Sequence, residues 1–241
     1  MEESAKYSRF PFAVEPFTDD VTAHLSWHTL GKQLLTCAGY HADTHGFGFK
    51  HMKEHHRAWV LSRLVMECDT MPGTMEAYEI ETFVNKVYRQ FTDRMFILRG
   101  ADGERIHGYG ISTWALIDYE SRMPVNLSDL PNGGFHAIVA ERTVPIAGPS
   151  RIRVKSQEPV KQHTVAFTDL DVNGHMNSIR YIDLLMDHAV TSIEQRVKRI
   201  DIAYGREALL GNTLYIYNEG SQYEIRLEDG TVLVRAEITL K

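Results

Sequence analysis

The sequence predicts an α+β fold built from two similar units in tandem. Three observations carry this. A helical apolar period is followed by four strand-like segments, and that order then repeats. The strand-like segments are rich in β-branched and aromatic residues and are separated by glycine-containing turns. A proline- and glycine-rich stretch divides the two sets.

The first helix is expected over residues 20–38. Asp19 or Asp20 suits its N-cap, Val21, Leu25, Leu34, Leu35 and Ala38 form its apolar stripe, and Gly39 suits its end. Residues 40–56, rich in Gly and His, read as a loop with a short helix. Strands are expected at 58–69, 77–90, 92–99 and 105–119, broken by Met71-Pro72-Gly73 and by the turn at Gly100–Gly103. Residues 121–157 read as an irregular connector holding Pro124, Pro131-Asn132-Gly133-Gly134, Pro145 and Pro149, with a short helix near 127–130. A strand at 161–168 and a helix at 175–190 follow. The helix stripe is Met176, Ile179, Ile182, Leu185, Met186, Ala189 and Val190. Strands close the chain at 197–204, 213–218, 221–228 and 231–239, with turns at Tyr217–Gly220 and Glu228–Gly230. Phe17–His24 also echoes Phe167–His175, one residue longer, which favours a duplication. The domain limits expected are 1–142, a connector 143–157, and 158–241.

Composition narrows the function. The 241 residues are 43% hydrophobic, enough for a substantial core. With 26 basic and 32 acidic residues the net charge is −6, unlike a nucleic-acid-binding domain. No apolar run is long enough to insert in a membrane, and the opening residues lack a signal-peptide pattern. Cys37 and Cys68 are too few for a disulfide framework, so a reduced, cytoplasmic protein with buried thiols is expected.

The chemistry concentrates in Thr168–Tyr181. Asp171, Asn173, His175 and Asn177 alternate just before an amphipathic helix. A carboxylate, amides and an imidazole placed at a helix N-terminus suit hydrolysis: one group activates water while amide and backbone N–H donors meet an oxyanion. The same residues also suit a capped helix start behind a tight turn at Gly174.

The run Asp169-Leu-Asp-Val-Asn-Gly-His-Met-Asn-Ser-Ile-Arg-Tyr-Ile182 resembles the active-site motif of acyl-acyl carrier protein thioesterases, which have a double hotdog fold. Ile202-Ala-Tyr-Gly-Arg-Glu207 resembles a second catalytic segment of that family, and Trp59–Leu64 and Ile111–Trp114 resemble its first-domain strands. The resemblance implies two tandem hotdog domains forming an intrachain pseudo-dimer. It implies hydrolysis of acyl-carrier-protein thioesters to free fatty acid, with Asp171, Asn173, His175 and Glu207 as the catalytic set. Asp171 would activate water or attack the carbonyl. Plant members carry Cys after this Glu; here Ala208 removes any thiol nucleophile. Asn177, Trp59, Phe83 and Trp114 are expected to contact substrate, and the first domain to hold the acyl chain.

The expected partner is an acyl carrier protein bearing a 4′-phosphopantetheine-linked acyl chain. Arg180, Arg196, Lys198 and Arg199 form a basic set that could meet its acidic surface, though a solvated face is the favoured reading of them. No metal or other cofactor is expected, although His41/His45 and His51/His55 have helical i, i+4 spacing. A monomer or homodimer is expected. An acyl-CoA thioesterase, an enoyl-thioester hydratase and a non-catalytic acyl-binding protein are the alternatives.

Overall fold

A computed structural model describes residues 6–130 and 138–241. Pro131-Asn132-Gly133-Gly134 and Met1–Ala5 lie outside the described residues. The chain divides into two compact units: unit 1 is Met1–Ser62 with Met66–Ile146, and unit 2 is Arg63–Val65 with Ala147–Lys241.

Unit 1 opens with strand β1 (Tyr7–Ala13), which the sequence reading did not foresee. Helices α1 (Trp27–Thr44) and α2 (Phe49–Glu54) follow, then strands β2 (Arg57–Cys68), β3 (Ala77–Val87), β4 (Phe91–Gly100) and β5 (Ile106–Asp118). The strands lie in the order β1-β3-β4-β5-β2. The β1–β3, β3–β4 and β4–β5 pairs are antiparallel. α1 lies across this sheet: Tyr78 donates its hydroxyl to Gln33 Oε1 at 2.6 Å, and Leu34 packs over Gly110. Because strand side chains alternate, Tyr78, Ile80, Thr82 and Val84 face α1 while Glu81 and Phe83 face away. In register with them, Arg94, Phe96 and Leu98 of β4 and Gly110, Ser112, Trp114 and Leu116 of β5 also face α1.

Unit 2 repeats the plan. Strand β6 (Lys161–Thr164) leads to helix α3 (Ser178–Ala189), then to strands β7 (Val197–Tyr204), β8 (Thr213–Glu219), β9 (Gln222–Arg226) and β10 (Val232–Leu240). Their order is β7-β10-β9-β8-β6, all pairs antiparallel. The α3 face made by Ile179, Tyr181, Ile182, Leu184 and Leu185 is buried. Tyr204 of β7 donates to the Ser178 carbonyl at 2.9 Å, fixing the first turn of α3 to the sheet.

Both helices begin later than the sequence pattern suggested. α1 is capped by Ser26, whose Oγ accepts from Thr29 N–H at 3.1 Å, and runs past Gly39 to Thr44. Asp19 and Asp20 are therefore loop residues. α3 is capped by Asn177, whose Oδ1 accepts from Ile179 N–H at 2.9 Å. In each case a carboxylate upstream builds a tight loop and a different polar residue caps the helix.

The echo is real at the level of hydrogen bonds. Asp20 N–H donates to His24 O at 2.8 Å, as Asp171 N–H donates to His175 O at 2.7 Å. Thr22 N–H donates to Asp20 Oδ1, as Asn173 N–H donates to Asp171 Oδ1, both at 2.8 Å. Leu25 N–H reaches Pro72 O, as Met176 N–H reaches Ala208 O, each at 2.9 Å. Even the left-handed residues correspond: Ala23 (φ +57°) with Gly174 (φ +78°), and Met75 (φ +68°) with Gly211 (φ +81°). This register places Thr22 opposite Asn173 and Met71 opposite Glu207.

One close approach in unit 1 requires glycine. A Cβ on Gly108 would collide with Cys68 Sγ and with the Glu67 carbonyl oxygen, a backbone atom that cannot swing aside. Gly108→Ala is expected to lower stability by about 1–3 kcal/mol in denaturant melts.

Candidate active site

Strand β6 ends at Thr164, and a single 3₁₀ turn at Phe167–Asp169 redirects the chain. The tight loop 171–175 then returns it, and Leu170 bridges Met176 across the loop's neck. Asp169 is the anchor. Its carboxylate, 2% exposed, accepts from His163 Nε2 at 2.7 Å, Ala166 N–H at 2.9 Å and Arg180 Nε at 3.1 Å. Its carbonyl accepts from Asn177 N–H at 2.8 Å. One residue thus ties together the strand end, the turn and the helix start. Arg180 also holds Asp183 at 2.6 Å.

Asp171 shapes the loop itself. Its Oδ1 accepts from Asn173 N–H at 2.8 Å and His175 N–H at 3.2 Å. Its Oδ2 has no partner among the described residues, and neither has the Asn173 side chain, which is exposed. One carboxylate oxygen is fixed and the other is left unclaimed there. The loop needs a left-handed residue at Gly174, which glycine adopts without steric cost.

The second segment arrives from the end of β7. His175 bridges Leu209, and Met176 N–H donates to Ala208 O, which lays Arg206–Leu210 beside the loop. This brings Glu207 Oε1 to 3.4 Å from His175 Nδ1. Asn212 Oδ1 accepts from Leu209 N–H at 2.8 Å and closes the turn. Tyr181, one turn into α3, is buried, and its ring meets Tyr204 edge-on at 6.2 Å. Burial pushes the Tyr181 phenol well above its ordinary pKa, and the nearby Glu207 charge adds to the shift.

Asp171, Asn173, His175, Asn177 and Glu207 therefore meet at one end of unit 2. Asn177 spends its side-chain oxygen on the helix cap. Trp59, Phe83 and Trp114 belong to unit 1 and do not share one surface. Trp59 donates to Phe47 O at 2.8 Å and packs against a cluster containing Met52, Val84 and Leu116. Trp114 faces α1 and donates to Ser112 Oγ at 2.8 Å. Phe83 points from the opposite face, with the Arg142 guanidinium 5.2 Å from its ring centre. Among the basic residues, Arg180 holds Asp169 and Asp183, and Arg199 holds Asp201 and the carbonyls of Ala147 and Gly148. Arg196 is exposed and donates to Ile193 O and Gln195 O. Sequence reasoning passed over His163 and Asp169 as site residues. Their signal was weak, because a short strand end six residues before an acidic residue forms no motif.

The model of the acyl-ACP thioesterase N-terminal domain matches residues 6–130, and that of the C-terminal domain matches residues 152–241. The chain belongs to the acyl-ACP thioesterase family. It resembles a solved acyl-ACP thioesterase from Bacteroides thetaiotaomicron, with 36% identity, TM-score 0.91 and all of both chains covered. A 12:0-ACP thioesterase from Umbellularia californica shares the fold, with 19% identity and TM-score 0.84 over 98% of this chain and 97% of that one. The fold is thus the tandem hotdog. A chloroplastic palmitoyl-acyl carrier protein thioesterase of Arabidopsis thaliana is 22% identical over 252 aligned residues, covering 93% of this chain. This chain spans 61% of that relative's length.

The Asp169 anchor makes unit 2 acid-sensitive. Burial opposes its charge, but the Ala166 N–H, His163 and Arg180 outweigh this and hold its pKa below the ordinary 3.8. A carboxyl with a depressed folded pKa contributes stability above the unfolded value, and that contribution disappears as pH falls through the folded value. Thermal melts are expected to lose stability between about pH 4 and pH 2, with part of that slope absent in Asp169→Asn.

Proposed function

We propose that this protein hydrolyses the thioester of an acyl chain carried on the 4′-phosphopantetheine arm of an acyl carrier protein, releasing the free fatty acid. The observation that carries this reading is the divided Asp171 carboxylate, with one oxygen locked by two backbone N–H groups and the other unclaimed beside His175 and Glu207. In this reading the unclaimed oxygen acts on the thioester carbonyl, directly or through a water whose proton it takes. The carbonyl oxygen gains negative charge and is met by the Asn173 amide and by His175, whose other ring nitrogen faces Glu207. Collapse of the tetrahedral species breaks the C–S bond, and the carrier thiol leaves with a proton that comes from the attacking water, through Asp171. In the direct route the collapse leaves an acyl anhydride on Asp171, which water then cleaves to the free acid while supplying the thiol's proton. Glu207 orients His175. Unit 1 receives the acyl chain, with Trp59 and Trp114 on its α1 side. Arg196 is the exposed member of the basic set that we assign to the acidic carrier.

Thiol release from matched acyl-carrier-protein and acyl-CoA substrates tests this. Asp171→Asn keeps the turn acceptor and removes the base or nucleophile, so kcat is expected to fall by about 10²–10⁴. A marked preference for CoA would move the substrate assignment while keeping the chemistry. Undiminished turnover in Asp171→Asn would refute the mechanism. A single turnover in ¹⁸O-water labels the acid when water attacks the acyl carbon, and labels Asp171 instead when water attacks the carboxyl carbon of an acyl-enzyme anhydride. Label found in Asp171 after many turnovers identifies direct attack.

A further inference from the structure

Among the described residues, the interior of unit 1 holds a charge without a counter-charge. Arg94 lies on the α1 face of β4 and is 4% exposed. Its one hydrogen bond among the described residues runs from Nη1 to Thr82 Oγ1 at 3.2 Å. No carboxylate pairs with it there. The same sheet shows what compensation looks like. Glu81, buried on the opposite face, meets Arg142 at 2.7 Å, Arg9 at 2.8 Å and Arg99 at 3.7 Å. A buried charge is costly unless paired or fully hydrogen-bonded, and Arg94 is neither.

A second unsatisfied group faces the same interior. Cys37 and His41 sit one helical turn apart on the buried side of α1. His41 Nε2 lies 3.0 Å from the Lys6 carbonyl oxygen, which can only accept, so that nitrogen carries the proton. Its Nδ1 is then a bare lone pair, and it is buried with no partner. Burial, with the Arg94 charge adding to it, holds the His41 pKa down at about 3. The imidazole is neutral and Nδ1 stays an acceptor. Around Arg94 the neighbours are mostly apolar: Phe96 flanks it along β4, Val84 is its cross-strand partner on β3, and Leu116 lies beyond its buried β5 partner Ser112.

An acceptor and spare donors in one apolar interior select for a group that does both. A hydroxyl can donate to Nδ1 and can accept from a guanidinium. A keto oxygen leaves Nδ1 unpaired, and a methylene leaves both unpaired. We propose that Arg94, His41 and Thr82 form a subsite for a hydroxyl group carried on the acyl chain, so that the preferred substrates are hydroxyacyl thioesters. This rests on the reading that unit 1 receives the acyl chain.

The test uses the full-length protein with dodecanoyl and hexadecanoyl carrier-protein thioesters, each plain, hydroxylated at mid-chain or hydroxylated at the terminus. One hydroxylated form is expected to exceed its plain counterpart in kcat/KM by at least about 10-fold. Arg94→Met is expected to abolish that preference while keeping plain-chain turnover and a wild-type melting temperature, since a buried charge replaced by an apolar side chain of similar length is often neutral or stabilising. If Arg94→Met does not fold, His41→Phe serves the same purpose. Quenching of tryptophan fluorescence by free hydroxylated and plain acids reads the subsite without turnover. Tighter, Arg94-dependent binding of a hydroxy acid with no thioester hydrolysis would sink the proposed function and keep the subsite. Hydrolysis with no hydroxyl preference at any position would overturn the subsite and leave a resident water as the occupant of Arg94 and His41.

Discussion

A buried or half-buried carboxylate that satisfies backbone N–H groups is the device on which both units depend. The chain must turn from an edge strand into a helix that crosses the sheet, and a turn this tight strands backbone donors. Asp20 and Asp171 meet that need in the same way, each accepting from the residue two positions on. In unit 2 the device is reinforced by Asp169, which clamps the strand end, the turn and the first turn of α3. In unit 1 the corresponding residue is Thr18, whose carbonyl still accepts from Ser26 N–H at 3.3 Å. Fold and candidate site therefore share their atoms, and the loop to which we assign the chemistry is also the one that makes the architecture possible.

The two copies differ where chemistry would be lost. Unit 1 keeps the carboxylate and the histidine, Asp20 and His24, but has Thr22 in place of the amide and Met71 in place of Glu207. His24 Nδ1 sits 2.6 Å from its neighbour Thr22 O instead of facing a carboxylate. Unit 1 has turned instead to a polar interior, with Glu81 on one face of β3 and Arg94 on the α1 side. In the proposed mechanism this is a division of labour within one chain: one unit carries the turn chemistry, the other a reshaped core.

Much of this was legible in the sequence. Period-2 segments and glycine turns located β2–β5 and β7–β10 to within a few residues, because their side chains alternate between a packed and an open face. β1 was not legible: Tyr7–Ala13 is an edge strand interrupted by Pro11, which weakens the strand signal. The helix starts were misplaced because Asp serves equally as an N-cap and as a turn residue. Only the hydrogen bonds tell which role Asp20 plays. Gly39 resembled a helix end, yet the buried run Ala38, His41, Ala42 carries α1 onward. The residues of the 171–177 loop and Glu207 were legible by resemblance. Asp169, His163 and the Arg94–His41 pair were not, since their meaning lies in burial and pairing between distant strands.

The most direct measurement compares the two copies of the loop. Asp20→Asn and Asp171→Asn keep the same turn acceptor in the same geometry, so both variants should melt within about 1 kcal/mol of the parent. Thioester turnover is expected to survive Asp20→Asn nearly intact and to fall by at least about 100-fold in Asp171→Asn. Equal losses in the two variants would mean that the carboxylates act only as loop supports, and that the reaction is carried elsewhere.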